Sequence, residues 1–313
     1  FNAVTVGLML MVFVIGNSEN GAQRWISIAG VSFQPSELAK FTAIILISKY
    51  LTRYGDKEIT FKNGTWQCFL ITIFISILII MEKHISATLI VVAICSIIMI
   101  IGGVKLRWFV LLGTVGGAGL ATLLLLSGKF GYAYTRIIGW LDPFNPPEGI
   151  DTYQTVQSIY AIGSGGIFGE GIGNSRQKFL YLPETENDFI FSIFCEEMGL
   201  IGALIVIALF IWLVFRGVSV SLNAKDRYGT LVGIGISLQI GIQAALNICV
   251  VTNAIPNTGI SLPFFSHGGT SIMVLLAEMG VLLSISRSNY RVAQEKHNNM
   301  TAQAETDKET EEE

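Results

Sequence analysis

The chain has 313 residues, 51% of them hydrophobic and 14% charged, with a mean hydropathy of +0.59 and a formal net charge of -3. Soluble domains carry roughly a quarter charged residues, so this composition excludes an ordinary soluble enzyme and points to a membrane protein. Much of the negative charge sits in the terminal run Glu305–Glu313, where Lys308 is the sole cation, so net charge says little about partners; no nucleic-acid partner is expected.

In chain order, apolar runs near the ~20 residues needed to cross a bilayer fall at 1–16, 35–52, 66–81, 85–104, 107–126, 188–215, 228–252 and 268–287. The fold expected is therefore an all-α polytopic membrane protein with about eight transmembrane helices. Phe1 lies inside an apolar run with no Met start and no basic region before it, which argues against a signal peptide and for a truncated upstream helix. The run at 35–52 carries Glu37 and Lys40, and that at 268–287 carries Glu278; charges facing lipid are costly, so these should face protein or a water-filled cavity. Cys68, Cys95, Cys195 and Cys249 lie in or beside apolar runs without metal-ligand spacing, so free thiols, no disulfide and no zinc are predicted.

Alternate loops differ in charge. One set holds Lys49, Arg53, Lys57 and Lys62, then Lys105 and Arg107, then Arg216, Lys225 and Arg227, then Arg287, Arg291, Lys296 and Lys308. The positive-inside rule places that set in the cytoplasm and puts Asn17–Gln34 and the long loop 127–187 outside. Residues 1–287 form the expected membrane domain, and 288–313, polar, acidic and without apolar periodicity, a disordered cytoplasmic tail.

An outer loop of this length is usually functional or disordered, and its composition favours function. It runs through Trp140-Leu-Asp-Pro-Phe-Asn-Pro-Pro and the glycine-rich stretch from Gly163 to Gly173, and its aromatic and apolar residues suggest that part of it dips toward the membrane surface. It ends on Asp188, directly before an apolar helix, where a helix cap and a catalytic base are both open readings. Arg176, Lys178 and Glu184 concentrate charge nearby, and of Glu196 and Glu197 at least one should face the bundle interior. Glu37 and Lys40, spaced i, i+3, share a helical face and either pair structurally or line a polar cavity. His267, in Phe-Phe-Ser-His-Gly-Gly-Thr-Ser, falls at an outer helix start as a structural or substrate-lining group. P-loop, dinucleotide, zinc-protease and nucleophile-elbow motifs are absent.

Three long motifs in order resemble the SEDS family of FtsW, RodA and SpoVE: Asn20-Gly-Ala-Gln-Arg-Trp-Ile with Phe33-Gln-Pro-Ser-Glu-Leu-Ala-Lys40; Leu182-Pro-Glu-Thr-Glu-Asn-Asp-Phe-Ile-Phe; and Pro256-Asn-Thr-Gly-Ile-Ser-Leu-Pro-Phe-Phe-Ser-His-Gly-Gly-Thr-Ser. The resemblance covers residues 1 to about 287 and is nearest to the FtsW and SpoVE type. It implies a ten-span fold of which the third to tenth are present, and a peptidoglycan glycosyltransferase in the cytoplasmic membrane of a bacterium, acting on lipid II at the outer face. Its partner would be a class B penicillin-binding protein within the division, sporulation or elongation machinery. Asp188 matches the family's catalytic aspartate; Glu37 and Lys40 match its paired charges. Arg24, Gln34, Arg176, Lys178, Glu184 and His267 are carried as supporting or substrate-binding candidates. No metal ligand is assigned, and a divalent cation, Mg or Mn, is the cofactor left open. Departures are His84 in place of a carboxylate, Asn187 for a usual Thr and His267 for a common Tyr. The competing readings are a lipid II flippase and a non-enzymatic scaffold for a transpeptidase.

Overall fold

The computed structural model describes residues 2–15, 17–19, 22–28, 31–53, 64–82, 84–114, 137–179, 182–183 and 185–312. The apolar runs fold as helices: α1 (Asn2–Ile15), α2 (Pro35–Arg53), α3 (Thr65–Met81), α4 (Ile85–Ile101) and α5 (106–114). After a short turn of helix, α6 (137–141), come α7 (Tyr153–Ser164), α8 (Ile190–Leu222), α9 (Arg227–Val251) and α10 (Gly269–Glu312). Ile190–Leu222, Arg227–Val251 and Gly269–Arg291 are each long and apolar enough to cross a membrane, and Thr65–Met81 is among the shorter apolar helices beside them. Of the run expected at 107–126, the part past 114 lies outside the described residues, as does 127–136 of the long loop.

The protein is mostly helical, with one addition to the all-α expectation. Asn17–Glu19 (β1), Ala22–Ile28 (β2) and Val31–Phe33 (β3) form a three-stranded antiparallel sheet in the order β1-β2-β3. Ile26 pairs with Phe33, Ser27 with Ser32 and Ile28 with Val31 across the β2–β3 pair. A sheet this small is marginal alone; it packs on α1, α2 and α10 and buries Ile26.

The second departure is at the chain's end. Disorder is expected beyond 288, yet α10 continues as one helix to Glu312. Its sequence explains this: no Gly or Pro follows Gly280, and Ala, Gln, Glu and Lys, all strong helix formers, make up eight of the eleven residues 302–312.

The core lies where α2, α4 and α9 meet, around Ile44, Ile47, Ile94, Ile98, Ile236 and Ile240, all essentially inaccessible. Close approach there depends on Gly235, where a Cβ would sit 2.6 Å from Ile44 Cγ2 and 2.7 Å from Ile98 Cδ1. All four cysteines are free thiols, three of them buried.

Candidate functional site

A cavity of about 460 Å³ opens between these helices. Four helices contribute the residues at or just before their N-termini: Gln34 and Glu37 of α2, His84 and Ser86 of α4, Asp188 and Phe189 of α8, and His267, Gly269 and Ser271 of α10. Helix N-termini present unpaired N–H groups and partial positive charge, so their convergence favours an anionic ligand. Trp25 from β2, Gln154 from α7, Gln243 from α9 and the segment Asn257–Ser261 complete the wall.

Asp188 reaches this wall because it does not cap α8. Phe189 occupies the cap position, without a side-chain cap hydrogen bond. Instead the Asp188 segment is stitched to its surroundings through the main chain. Asn247 of α9 donates through Nδ2 to the Asp188 carbonyl at 2.7 Å and to that of Ile260 at 2.5 Å. Ser266 Oγ donates to the Asn187 carbonyl at 2.7 Å, and the His267 N–H to that of Glu186 at 2.7 Å. Gly259, with φ +58, lies against the carboxylate: a Cβ there would be 3.1 Å from Asp188 Oδ2.

Glu37 and Lys40 line the cavity and pair with each other, Nζ to Oε1 at 2.9 Å, with Lys40 2% exposed. Lys40 also donates to Gln243 Oε1 at 2.8 Å, while the Gln243 amide donates to Ser261; Ser271 Oγ donates to Glu37 Oε2 at 3.4 Å. Glu278 faces the protein, as lipid solvation requires: it is fully buried, its two oxygens accept from Gln239 Nε2 at 2.7 and 2.9 Å, and it lies within electrostatic reach of Lys40 and Glu37. His84 takes up Gln34 Nε2 and Ser36 Oγ at its Nδ1, each at 3.3 Å. His267 is exposed at the cavity wall.

The expected residues therefore divide. Asp188, Glu37, Lys40, Gln34 and His267 meet at one cavity. Arg176 and Lys178 do not line it. Arg176 is 82% exposed at its side chain, with Nε 3.7 Å from Glu170 Oε2, and Lys178 Nζ contacts Glu197 Oε1 at 2.9 Å and donates to the Gly173 carbonyl at 2.6 Å. Their segment is drawn away by Glu196, buried as expected, whose carboxylate accepts from Ser175 Oγ and from the N–H groups of Arg176 and Gln177. Glu184 and the Arg24 side chain lie outside the described residues. Sequence reasoning missed Gln243 and Asn247, although Gln239, Gln243 and Asn247 recur at four-residue spacing along an otherwise apolar α9, a polar stripe that marks an inward face.

Fold and cavity together define a polytopic helical membrane protein with a carboxylate-bearing polar site ringed by helix N-termini. The family model described as cell cycle protein, that of FtsW, RodA and SpoVE, matches residues 1–291, and the chain belongs to that family. It is 39% identical over 282 residues to stage V sporulation protein E of Bacillus subtilis (strain 168), covering 90% of this chain and 76% of that one. It is 38% identical over 285 residues to the probable peptidoglycan glycosyltransferase FtsW of Geobacter sp. (strain M18), with the same two coverages of 90% and 76%. Among solved structures, a chain of a peptidoglycan synthase complex described for its coordination of polymerization and crosslinking superposes with TM-score 0.74 at 25% identity, over 92% of this chain and 80% of that one. The rod shape determining protein RodA of Thermus thermophilus shares the fold, with TM-score 0.63 at 24% identity over 92% and 77%.

Proposed function

We propose that this protein is a peptidoglycan glycosyltransferase that polymerises lipid II at the outer face of a bacterial cytoplasmic membrane, with Asp188 as its general base. The observation carrying this reading is the placement of Asp188 on one cavity wall with Glu37, Lys40 and four helix N-termini. The cavity volume, about 460 Å³, is within the ~300–1,000 Å³ range of small-ligand sites. Family membership and the names of the relatives support the reaction class.

The chemistry follows from the linkage. Joining an α-linked diphosphate donor to a β-1,4 glycan inverts the anomeric carbon, so one displacement suffices. The acceptor's 4-oxygen bonds to C1, the C1–O bond to the diphosphate breaks with its electrons leaving on the diphosphate, and Asp188 takes the 4-hydroxyl proton. The departing undecaprenyl diphosphate needs charge stabilisation rather than a general acid. Helix N-termini and Lys40 supply it; Arg176 and Lys178, held elsewhere, do not. Glu37, Gln243 and Ser271 hold Lys40 and its partner in place. A divalent cation, Mg or Mn, would add to the charge neutralisation of the departing diphosphate. The partner proposed is a class B penicillin-binding protein, in division, sporulation or elongation.

The test supplies labelled lipid II to the purified protein with its transpeptidase partner and resolves products by length. Glycan polymer is expected. Translocation of lipid II across vesicles without polymer would replace the enzyme by a flippase, and crosslinking support without either activity by a scaffold.

A further inference from the structure

The helix α8 is too long for one bilayer crossing and is broken within. Its 33 residues would extend ~50 Å at 1.5 Å per residue, against a hydrocarbon core of ~30 Å. The break is at Gly199, with φ 64 and ψ -168. Below it, the uncharged stretch Leu200–Phe215 spans ~24 Å, near the core thickness, before Arg216, the first residue of the basic set that includes Lys225 and Arg227. Gly199 thus falls at the boundary of the hydrocarbon on the side away from that loop.

A segment of the long loop is spliced into the break. The Glu196 carbonyl accepts from the Glu170 N–H at 2.9 Å and the Glu197 carbonyl from that of Gly171 at 3.0 Å. In return the Leu200 N–H donates to the Gly166 carbonyl at 2.9 Å and the Ile201 N–H to that of Ile167 at 3.2 Å. These four α8 groups are the ones that helical bonds from Leu200 to Glu196 and from Ile201 to Glu197 would pair with each other. The approach is backbone on backbone: a Cβ at Gly165 would be 2.1 Å from the Cys195 carbonyl oxygen, and one at Gly169 2.2 Å from that of Glu197.

Irregular backbone at membrane depth is tolerated where its polar groups are satisfied by protein, and the splice does that for this turn. Its side chains, meanwhile, point outward: Phe168 and Ile172 are each 81% exposed and Ile167 59%. They continue the exposed apolar face of α8 formed by Leu200, Ile201, Leu204 and Ile205, to which the splice ties them directly. A patch of this kind in water would be a liability; continuous with a lipid-facing helix, it is an interfacial anchor.

We propose that the turn Gly166–Ile172 inserts Ile167, Phe168 and Ile172 into the outer leaflet, anchoring the loop that leads to Asp188 at the membrane surface. The occupant of this surface is lipid. The proposal stands whether or not the protein is a glycosyltransferase.

The experiment attaches a small fluorophore through cysteine in nanodiscs of lipids brominated along the acyl chain, in a Cys249→Ala background since the other native cysteines are buried. Phe168→Cys and Ile172→Cys are labelled beside two references, Leu204→Cys on the lipid-facing part of α8 and Glu148→Cys in the exposed part of the same loop. Loss of fluorescence on bromination at both loop positions, as at Leu204 and unlike Glu148, is the expected result. Fluorescence at both that is insensitive to bromination and quenched by iodide from water, as at Glu148, overturns it, including the case in which an added protein partner then shields them. Correct folding of each labelled variant is read from its thermal melting, so failure to fold is not mistaken for exposure.

Discussion

Replacing Asn247 by Ala removes one amide that holds two main-chain carbonyls, Asp188 at 2.7 Å and Ile260 at 2.5 Å, in a position with no solvent access. Each buried carbonyl left without its donor costs ~1–3 kcal/mol, so the variant should lose ~2–6 kcal/mol of stability, partly offset by relaxation of the freed segment. Relaxation is what damages activity. The Asp188 carbonyl and carboxylate belong to one residue, and a displacement of ~1 Å at a catalytic group costs on the order of 10²-fold in rate. Asn247 does not line the cavity, so the loss should appear in kcat with KM for lipid II nearly unchanged. Asn247→Asp should be worse than Ala, because it faces a carboxylate to two carbonyls. The assay is initial polymerisation rate against lipid II concentration, with thermal melting in detergent run alongside. A folded Asn247→Ala protein with the parent's kcat would refute the positioning argument outright.

Three further outcomes are expected. Gly165→Ala and Gly169→Ala should each lower thermal stability by ~3 kcal/mol or more, since the new methyl meets backbone that cannot move aside, while Gly163→Ala, with nothing within 4 Å of its Cβ position, should melt like the parent. Lys40→Met should destabilise by ~3–5 kcal/mol by leaving the Glu37 charge buried without its partner, and adding Glu37→Gln should recover part of the loss; a single variant as stable as the parent would mean the pair is not buried as described. Arg176→Ala, at an exposed site away from the cavity, should leave kcat and KM at parental values, and a large rise in KM would return that cation to the substrate site.

The residues that the sequence exposes most readily are those whose chemistry conflicts with lipid. Glu37, Lys40 and Glu278 are costly there, so an inward placement follows from composition alone, and the structure buries all three. Asp188 is legible by position, at the junction of a long loop and an apolar run. The helix cap, the reading its residue type favours in isolation, gives way: Phe189 takes the cap position, and tertiary bonds from Asn247 and Ser266 hold the Asp188 segment. The positions of Arg176 and Lys178 are invisible locally: charge density near Asp188 in the chain suggests a shared site, but Glu196, about twenty residues on, folds their segment back on α8. The sheet at 17–33 escapes for a related reason, its strands being short and stabilised by packing on α1, α2 and α10 rather than by a strong alternating pattern. In the glycine-rich stretch from 163 to 173, Gly165 and Gly169 make a close backbone contact with α8, which no spacing reveals.

The proposed reaction turns on the Asp188 carboxylate taking a proton during glycan polymerisation. Asp188→Asn keeps the shape and the main-chain bonds and removes that capacity. With labelled lipid II, a divalent cation and the partner transpeptidase present, polymer is expected from the parent and at least ~10²-fold less from the variant, at unchanged thermal stability. Polymer formed equally by both proteins would contradict that proposal.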